Sequence, residues 1–263
     1  MKKIFLLNFS LFFFLSFSQK GLVKYGYYHA LTIGNAKAPE SQAYLSFNKQ
    51  LSYYVTAKES LEKAADRSEQ KTYTNDEGGG SIYNGSKMSE DGDQVVNHLT
   101  KKTMWSNLLY RKQVYMKEVT PQMIWKIENE TKKIGKFICK KATTNFRGRV
   151  YTAWFTTEIP LPYGPWKLQG LPGLILEAYD KGKFVYWYSQ SVEYPSGSSI
   201  EPEYIKIPKN DKFLTTAEFQ AFQNEELKRM DEKSKIVQKN YPDVKFLNNF
   251  NICEMFVECK WEN

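Results

Sequence analysis

The side chains of this 263-residue chain best suited to binding chemistry are aromatic and cationic residues in the middle of the sequence. Trp154, Trp166 and Tyr179 offer flat rings on which a sugar or an acyl chain could stack, and Arg147 and Arg149 could contact an anionic group. Aromatic residues on strands are also ordinary core material, so these rings could simply fill the concave side of a curved sheet. We predict the five residues as ligand-binding candidates and keep core packing as the alternative.

Catalytic chemistry has less support in the sequence. Glu158, Glu177 and Asp180 could form an acid–base pair of the kind that glycosidases use, but β proteins commonly contain such acids. The chain has two histidines, His29 and His98, and no closely spaced acids near them to complete a zinc site. We predict no catalytic residue, no metal site and no cofactor.

Three cysteines, Cys139, Cys253 and Cys259, leave at least one thiol unpaired in a monomer. Cys253 and Cys259 would be about 20 Å apart on one continuous strand, too far for a disulfide unless the chain bends. We expect Cys139 to pair with one of the other two across adjacent strands.

The elements that must position these side chains are short strands. β-branched and aromatic residues recur in runs separated by turns, at a spacing of roughly 8–12 residues that is typical of an antiparallel sheet, curved or closed. The assigned strands are Leu22–Tyr28, Ala43–Val55, Lys102–Leu109, Gln113–Val119, Trp125–Glu128, Phe137–Phe146, Val150–Thr157, Leu174–Tyr179 and Phe184–Tyr194, with a last one near Asn251–Trp261. The predicted fold class is mainly β: an antiparallel curved sheet, open barrel or bowl, with one C-terminal amphipathic helix.

The helix is predicted from its cap and its spacing. Thr215 stands three residues before Glu218, as in a capping box, and Pro242 ends the helix after about Lys239. Apolar residues follow the cap near helical spacing at Phe219, Phe222, Leu227, Met230 and Val237. We expect the helix to cover one side or the mouth of the sheet; docking onto a partner is the alternative.

A polar stretch interrupts the strand pattern between about residues 58 and 94. Three consecutive glycines, 78–80, and clusters of Asp, Asn and Ser favour turns there. We predict a mobile insertion or a long hairpin inside a single β-rich domain that spans residues 19–263.

The first 18 residues have the composition of a secretory signal peptide. Two lysines precede an apolar run from Ile4 to Leu15, and small side chains precede Gln19. The run is shorter than the roughly 20 apolar residues that a membrane span needs, and no later segment is apolar enough to be one. Removing the signal takes away two lysines and no acid, so the net charge falls from +8 to +6. Because the remaining lysines are scattered, we expect no nucleic-acid binding.

An ordered series of motifs lies between residues 125 and 180. It passes through Cys139-Lys-Lys-Ala-Thr, Phe146-Arg-Gly-Arg and Ala153-Trp-Phe-Thr and ends on the hexapeptide Gly170-Leu-Pro-Gly-Leu-Ile. The series resembles the GLPGLI family of exported proteins of Bacteroidetes-type bacteria, a family without an established activity. More distantly, the chain resembles the bowl-shaped β domain that precedes the catalytic part in one group of bacterial peptide-N-glycosidases. This second likeness implies the bowl alone and no catalytic motif.

The hexapeptide has the composition of a tight turn. Pro172 suits the second position, where φ is near −65°, and Gly173 suits the third, where a type II turn needs a positive φ. The apolar residues beside them indicate a turn tucked against the core. Gly170 and Gly173 could alternatively let a ligand approach the backbone closely.

These features favour an exported, non-enzymatic binding or scaffolding protein in the periplasm or on the outer surface of a Gram-negative bacterium. Its partner would be a hydrophobic or glycan ligand, or a segment of an envelope protein. A hydrolase that acts on envelope glycans or peptides through paired carboxylates is the alternative. An accessory subunit of an outer-membrane assembly is a third possibility.

Overall fold

The computed structural model describes residues 20–29, 41–56, 58, 71–74, 80–83, 89–109, 113–197, 212–240 and 257–259. Within these residues the strands are β1 (Gly21–His29), β2 (Ser41–Phe47), β3 (Leu51–Thr56), β4 (Lys71–Thr74), β5 (Gly80–Tyr83), β6 (Asp93–His98), β7 (Thr103–Leu109), β8 (Gln113–Val119), β9 (Lys126–Ile134), β10 (Phe137–Phe146), β11 (Arg149–Thr156), β12 (Leu174–Asp180) and β13 (Val185–Glu193). The helix is α1 (Thr216–Asn240).

Eleven of the strands form one antiparallel sheet in the order β8-β7-β6-β3-β2-β1-β13-β12-β11-β10-β9. The sheet is open, with β8 and β9 as its edges, but it curves strongly. Gln169, which follows β11, donates a hydrogen bond of 2.6 Å to the carbonyl of Pro121, just beyond edge strand β8. The carbonyl of Gln169 accepts one of 2.8 Å from the Trp125 indole. The predicted fold class is therefore confirmed as mainly β, in its open form and not as a closed barrel.

Alternation along the central strands separates two faces. On β11, the side chains of Tyr151, Ala153 and Phe155 point to one face, which we call the inner face, and those of Thr152 and Trp154 to the other, the outer face. The register carries this alternation onto β10 and β12, since Ala142 pairs with Ala153 and Ala153 pairs with Ala178. The strand pattern therefore decides which side chains can meet.

Residues 157–173, between β11 and β12, fill the inner face. This loop is held by its own backbone bonds, among them Gly170 N–H to the Pro162 carbonyl at 3.0 Å and Ile175 N–H to the Tyr163 carbonyl at 2.9 Å. It buries a set of large side chains in the core: Ile159, Leu161, Tyr163, Trp166, Leu168 and Leu171. Burial of these apolar side chains stabilises the packing of the loop against the sheet.

Helix α1 begins with the predicted capping box. The Thr215 N–H donates to the Glu218 carboxylate at 2.9 Å, and the Glu218 N–H donates to the Thr215 hydroxyl at 3.3 Å. Phe219 packs on Val114 and Met116 of edge strand β8, so the helix lies against one side of the sheet. Val237, which the spacing placed on the apolar face, is 38% exposed.

The edge strand β8 is also protected. The segment before α1 adds a short parallel bridge, in which Lys117 N–H donates to the Leu214 carbonyl at 3.0 Å and Leu214 N–H donates to the Tyr115 carbonyl at 2.8 Å. This bridge gives hydrogen-bond partners to backbone N–H and C=O groups of β8 that an exposed edge would leave unpaired.

The described part of the predicted polar insertion contains the separate hairpin β4–β5, and strand β6 of the main sheet begins at its C-terminal end. Two boundary predictions need correction. The run Ala43–Val55 is two strands, because the Asn48 side chain accepts hydrogen bonds from the N–H groups of Gln50 and Leu51 and turns the chain. Residues 257–259, within the predicted last strand, are not in a strand, and the rest of that strand lies outside the described residues.

The predicted disulfide is wrong. Cys139 is a free, buried thiol on β10, and Cys259 is disulfide-bonded, so Cys139 is not its partner. The proposed signal peptide, residues 1–18, lies outside the described residues.

The hexapeptide turn differs from the predicted geometry. The positive φ lies at Gly170, at +94°, and not at Gly173. Gly173 is needed for a different reason: a Cβ there would come within 2.1 Å of the Thr156 carbonyl oxygen. Leu171, Leu174 and Ile175 are buried in the core and Pro172 is exposed, so the apolar residues on both sides of the turn pack against the core, as expected.

Candidate functional site

The five predicted ligand-binding residues do not form one site. Arg147, Arg149 and Trp166 lie in the interior on the inner face, whereas the strand alternation places Trp154 and Tyr179 on the outer face. Trp154 is nevertheless as buried as Trp166, at 8% exposed, and packs in the same hydrophobic core cluster. The alternation of β11 predicts this separation for Trp154, but the placement of Trp166 depends on the path of the loop.

Trp166 lies in a packed column of rings on the inner face. Its ring stacks on Trp187 of β13 with the centroids 6.1 Å apart, and Trp187 stacks on Tyr27 of β1 at 5.2 Å. The Trp187 indole N–H donates to the Tyr54 hydroxyl at 2.9 Å. Trp166 is 8% exposed and Trp187 is 1% exposed. For Trp166 the structure therefore favours core packing, the alternative left open by the sequence.

Arg147 belongs to a buried cluster of two cations and two carboxylates, which we call the charge square: Glu118, Arg147, Lys167 and Glu258. Lys167 Nζ lies 2.6 Å from a carboxylate oxygen of Glu118 and 2.6 Å from one of Glu258. Arg147 forms ion pairs with both carboxylates, at 3.3 Å from its Nε to Glu258. The Lys167 side chain is 0% exposed and that of Glu258 is 3% exposed. The square joins β8, the β10–β11 turn, the inner loop and the C-terminal segment.

Arg149 makes a second buried pair beside the square. Its Nη1 lies 2.5 Å from the Asp180 carboxylate of β12, and the other Asp180 oxygen accepts a hydrogen bond of 3.2 Å from the Val185 N–H. Both predicted arginines thus have their charges neutralised by carboxylates of this chain.

Burial dominates the electrostatics of the square. It raises the pKa of the Glu258 carboxyl above its ordinary value of 4.5, although Lys167 and Arg147 both act to lower it. Removing either cation would leave a buried carboxylate without its compensating charge. The square therefore acts as a structural clamp between distant parts of the chain.

The outer face of β1, β12 and β13 presents four half-buried tyrosines, which we call the tyrosine patch: Tyr28, Tyr179, Tyr186 and Tyr188. The rings of Tyr28 and Tyr186 stack with centroids 6.1 Å apart, and Tyr28 and Tyr188 stack at 6.0 Å. Tyr179 meets Tyr186 edge-on at 5.6 Å. The patch therefore offers a continuous ring surface that is open to solvent at its edges.

Polar groups border the patch. Lys183, held at a φ of 54° in the β12–β13 turn, places its Nζ 5.3 Å from the Tyr179 ring centroid. The Glu177 carboxylate forms an ion pair with Lys132, with 2.7 Å between a carboxylate oxygen and the Lys132 Nζ. The same Nζ lies 4.4 Å from the centroid of the Trp154 ring. Burial, with the Glu177 carboxylate, raises the pKa of Tyr186 to about 12, so its hydroxyl stays protonated at neutral pH.

The three carboxylates predicted for a hydrolase do not converge. Glu177 is on the outer face and Asp180 on the inner face of β12, since their partners are Trp154 and Tyr151 of β11. Glu158 is exposed and accepts the Ile138 N–H at 3.0 Å. Within the described residues, no group of three or more His, Cys, Asp or Glu side chains could hold a metal ion.

Sequence reasoning missed Glu118, Lys167 and Glu258. Lys167 is 49 residues from Glu118, and no local pattern marks a lysine between Trp166 and Leu168 as buried. The tyrosines of the patch had a local signal, because alternate residues of Tyr186-Trp187-Tyr188 point to the same face.

The family described as "Protein of unknown function (Porph_ging)" matches residues 146–177, which contain Arg147, Lys167 and the hexapeptide. The structure of PNGF-II in its C2 space group is similar, with a TM-score of 0.53 and 14% identity over 77% of this chain, and so is that in its P21 space group, with a TM-score of 0.50. This chain spans about a third of the length of PNGF-II, at 32%. A search of curated proteins finds no match.

The likeness to PNGF-II shows a shared fold.

No helix among the described residues is long and apolar enough to cross a membrane.

Proposed function

We propose that this chain is an exported, non-enzymatic binding protein of the cell envelope of a Gram-negative bacterium, and that it holds a glycan against the tyrosine patch. Export rests on the signal-like composition of residues 1–18. The binding role rests on one observation: four tyrosine rings lie together on the outer face with charged groups at their border.

A glycan suits the tyrosine patch because a glycan, like the patch, combines apolar faces with polar groups. The apolar face of a sugar ring can lie on an aromatic ring, while its hydroxyl groups need donors and acceptors close by. Tyr186 supplies a hydroxyl, Glu177 a carboxylate and Lys183 an ammonium group within one border of the patch. A purely apolar ligand would cover these polar groups without offering them hydrogen bonds.

The alternative of a hydrolase has one observation in its favour. Glu118 and Glu258 are buried and converge on the Lys167 ammonium, and the pKa of Glu258 is raised. A general acid and base need contact with substrate, however, and these carboxylates are already in ion pairs with Lys167 and Arg147 inside the core. The non-enzymatic role is therefore preferred.

The likeness to PNGF-II is one of fold, at 14% identity, and the sequence separately resembles a bowl-shaped domain of bacterial peptide-N-glycosidases. A shared fold does not bring an activity with it, because function depends on the groups of a site. Since this chain spans about a third of PNGF-II, a binding or scaffolding role for the bowl alone is the more economical proposal.

Isothermal titration calorimetry with soluble oligosaccharides tests the proposal. The panel would contain hexamers of N-acetylglucosamine, glucose and mannose. For a bound sugar, Tyr186→Ala should weaken the affinity about tenfold, equal to about 1.4 kcal/mol, because it removes a stacking ring. Tyr186→Phe keeps the ring and should lose less.

The matched control is Ile236→Ala, an exposed apolar residue of α1 at a distance from the patch in sequence and fold. It should bind like the wild type. An affinity that Tyr186→Ala leaves unchanged would contradict the proposed site, and hydrolysis of any panel member would support the alternative.

A further inference from the structure

The turn between β12 and β13 places an ammonium group against the tyrosine patch. The Lys183 Nζ lies 5.3 Å from the ring centroid of Tyr179 and 5.9 Å from that of Tyr186. The two tyrosines are direct cross-strand neighbours in the register of β12 and β13. A ligand that lies on these two rings therefore meets the Lys183 ammonium at their border.

Lys183 has a backbone conformation that is unfavourable for a residue with a Cβ. Its φ is 54°, and its N–H donates to the Asp180 carbonyl at 2.9 Å, which closes the turn. Glycine adopts a positive φ without this steric cost, and Gly135 does so at 56° in the β9–β10 turn. A lysine at position 183 is therefore not explained by the turn, whereas its side chain has a defined place beside the patch.

The charges at the border of the patch are not balanced. The Glu177 carboxylate is neutralised by Lys132, at 2.7 Å. Lys181 and Lys183 of the turn are exposed, and neither forms an ion pair with a carboxylate of the described residues. The open side of the patch next to this turn therefore has a positive charge without a partner, and a complementary ligand has a negative one.

We propose that the tyrosine patch binds an acidic glycan, whose sugar rings carry carboxylate groups, and that Lys183 selects the carboxylate. The inference rests on the proposed glycan binding and names the class of glycan. The apolar face of a sugar lies on Tyr179 and Tyr186, and its carboxylate accepts a charge-assisted hydrogen bond from the Lys183 ammonium. A neutral sugar keeps the stacking and lacks the ion pair.

Isothermal titration calorimetry on the full chain tests the selection with two probes, a hexamer of galacturonate and its methyl ester. The probes have the same sugar rings, but the ester has no negative charge. In a low-salt buffer the acid should bind about fivefold more tightly than the ester, the size expected of one exposed ion pair. High salt should remove this preference, because the pair is open to solvent.

Three variants assign the preference to one ammonium group. Lys183→Gln should bind the acid and the ester equally, and Lys183→Arg, which keeps the charge, should retain the preference. Lys183→Gly should also lose the preference, and its folding is not at risk because glycine accepts the positive φ. A preference that persists in Lys183→Gln and Lys183→Gly would overturn the role of Lys183.

The matched control is Lys102→Gln. Lys102 also has a positive φ, at 50°, but it lies in the β6–β7 turn, several strands away from the patch in the sheet. This variant loses the same charge from the same type of backbone position and should keep the wild-type preference. Equal loss in Lys102→Gln and Lys183→Gln would overturn the proposal, because it would show an effect of net charge alone.

The probes also separate this inference from the glycan binding on which it rests. If wild type binds the acid and the ester equally and Tyr186→Ala weakens both, the choice of an acidic glycan is wrong and glycan binding at the patch stands. If neither probe nor any neutral hexamer binds, glycan binding is wrong and this inference falls with it.

Discussion

The inner and outer faces of the same strands use charged and aromatic side chains in different ways. On the inner face, Lys167 and its carboxylate partners are buried and their charges are balanced within the chain. On the outer face, Tyr186 and its neighbours are half-buried, and charged groups lie at their border. Buried and balanced groups stabilise a fold, whereas half-open rings with polar edges can receive a ligand. The aromatic content alone does not distinguish these two roles.

The largest loss of unfolding free energy is expected from Lys167→Met on the inner face, and it is compared below with Lys132→Met on the outer face. Lys167→Met leaves Glu118 and Glu258 buried with Arg147 as the remaining cation of the charge square, which should cost about 3–5 kcal/mol of unfolding free energy. Urea denaturation measures this value. A loss below about 1 kcal/mol would mean that the square does not stabilise the fold.

Gly173→Ala tests the packing of the inner loop. The new Cβ would overlap the Thr156 carbonyl, whose backbone cannot move away easily, and the expected loss is about 1–3 kcal/mol. Gly197→Ala is the matched control, because a Cβ there has no atom within 4 Å. Equal stability of the two variants in thermal denaturation would show that the loop is loosely packed.

A smaller effect is expected from pH. The pKa of Glu258 is raised in the folded state. Its stabilising contribution to the unfolding free energy is therefore fully present below pH 4.5 and is lost as the pH rises through the folded-state pKa. The unfolding free energy of the wild type should therefore fall relative to that of Glu258→Gln as the pH is raised above 4.5. Parallel pH profiles in urea denaturation would contradict this.

The smallest effect is expected at Lys132 on the outer face. Its pair with Glu177 is partly exposed, with 34% of the Lys132 side chain accessible, so water and salt screen it. Lys132→Met should change the unfolding free energy by at most about 1 kcal/mol, measured as for Lys167→Met. A loss as large as that of Lys167→Met would remove the contrast between the faces.

The sequence predicted the regular parts of the fold well. Strands such as Phe137–Phe146 have clear alternation, and the Thr215–Glu218 capping box gave the start of α1. The split of Ala43–Val55 was missed because an Asn side chain makes that turn without a glycine. Strand β6 was missed because its polar Asp93 and Gln94 continue the composition of the preceding stretch, although Gln94 is fully buried.

The site was harder to predict than the strands. Alternation placed Trp154 and Phe155 on opposite faces, but no local rule places Trp166, which lies in an irregular loop. The charge square depends on contacts between residues far apart in sequence, such as Lys167 and Glu118. Charges that are paired through tertiary structure look like ordinary surface residues in the sequence.

We propose that the outer face of the sheet binds ligand, whereas the inner face stabilises the fold. Fluorine NMR of the chain labelled with 3-fluorotyrosine tests it directly, because one spectrum reports on Tyr186 and Tyr188 of the patch and on Tyr25 and Tyr151 of the core. With a saturating oligosaccharide from the panel, we expect the resonances of Tyr186 and Tyr188 to shift and those of Tyr25 and Tyr151 to stay unchanged. Shifts confined to the core tyrosines, or no shift with any sugar, would contradict the account.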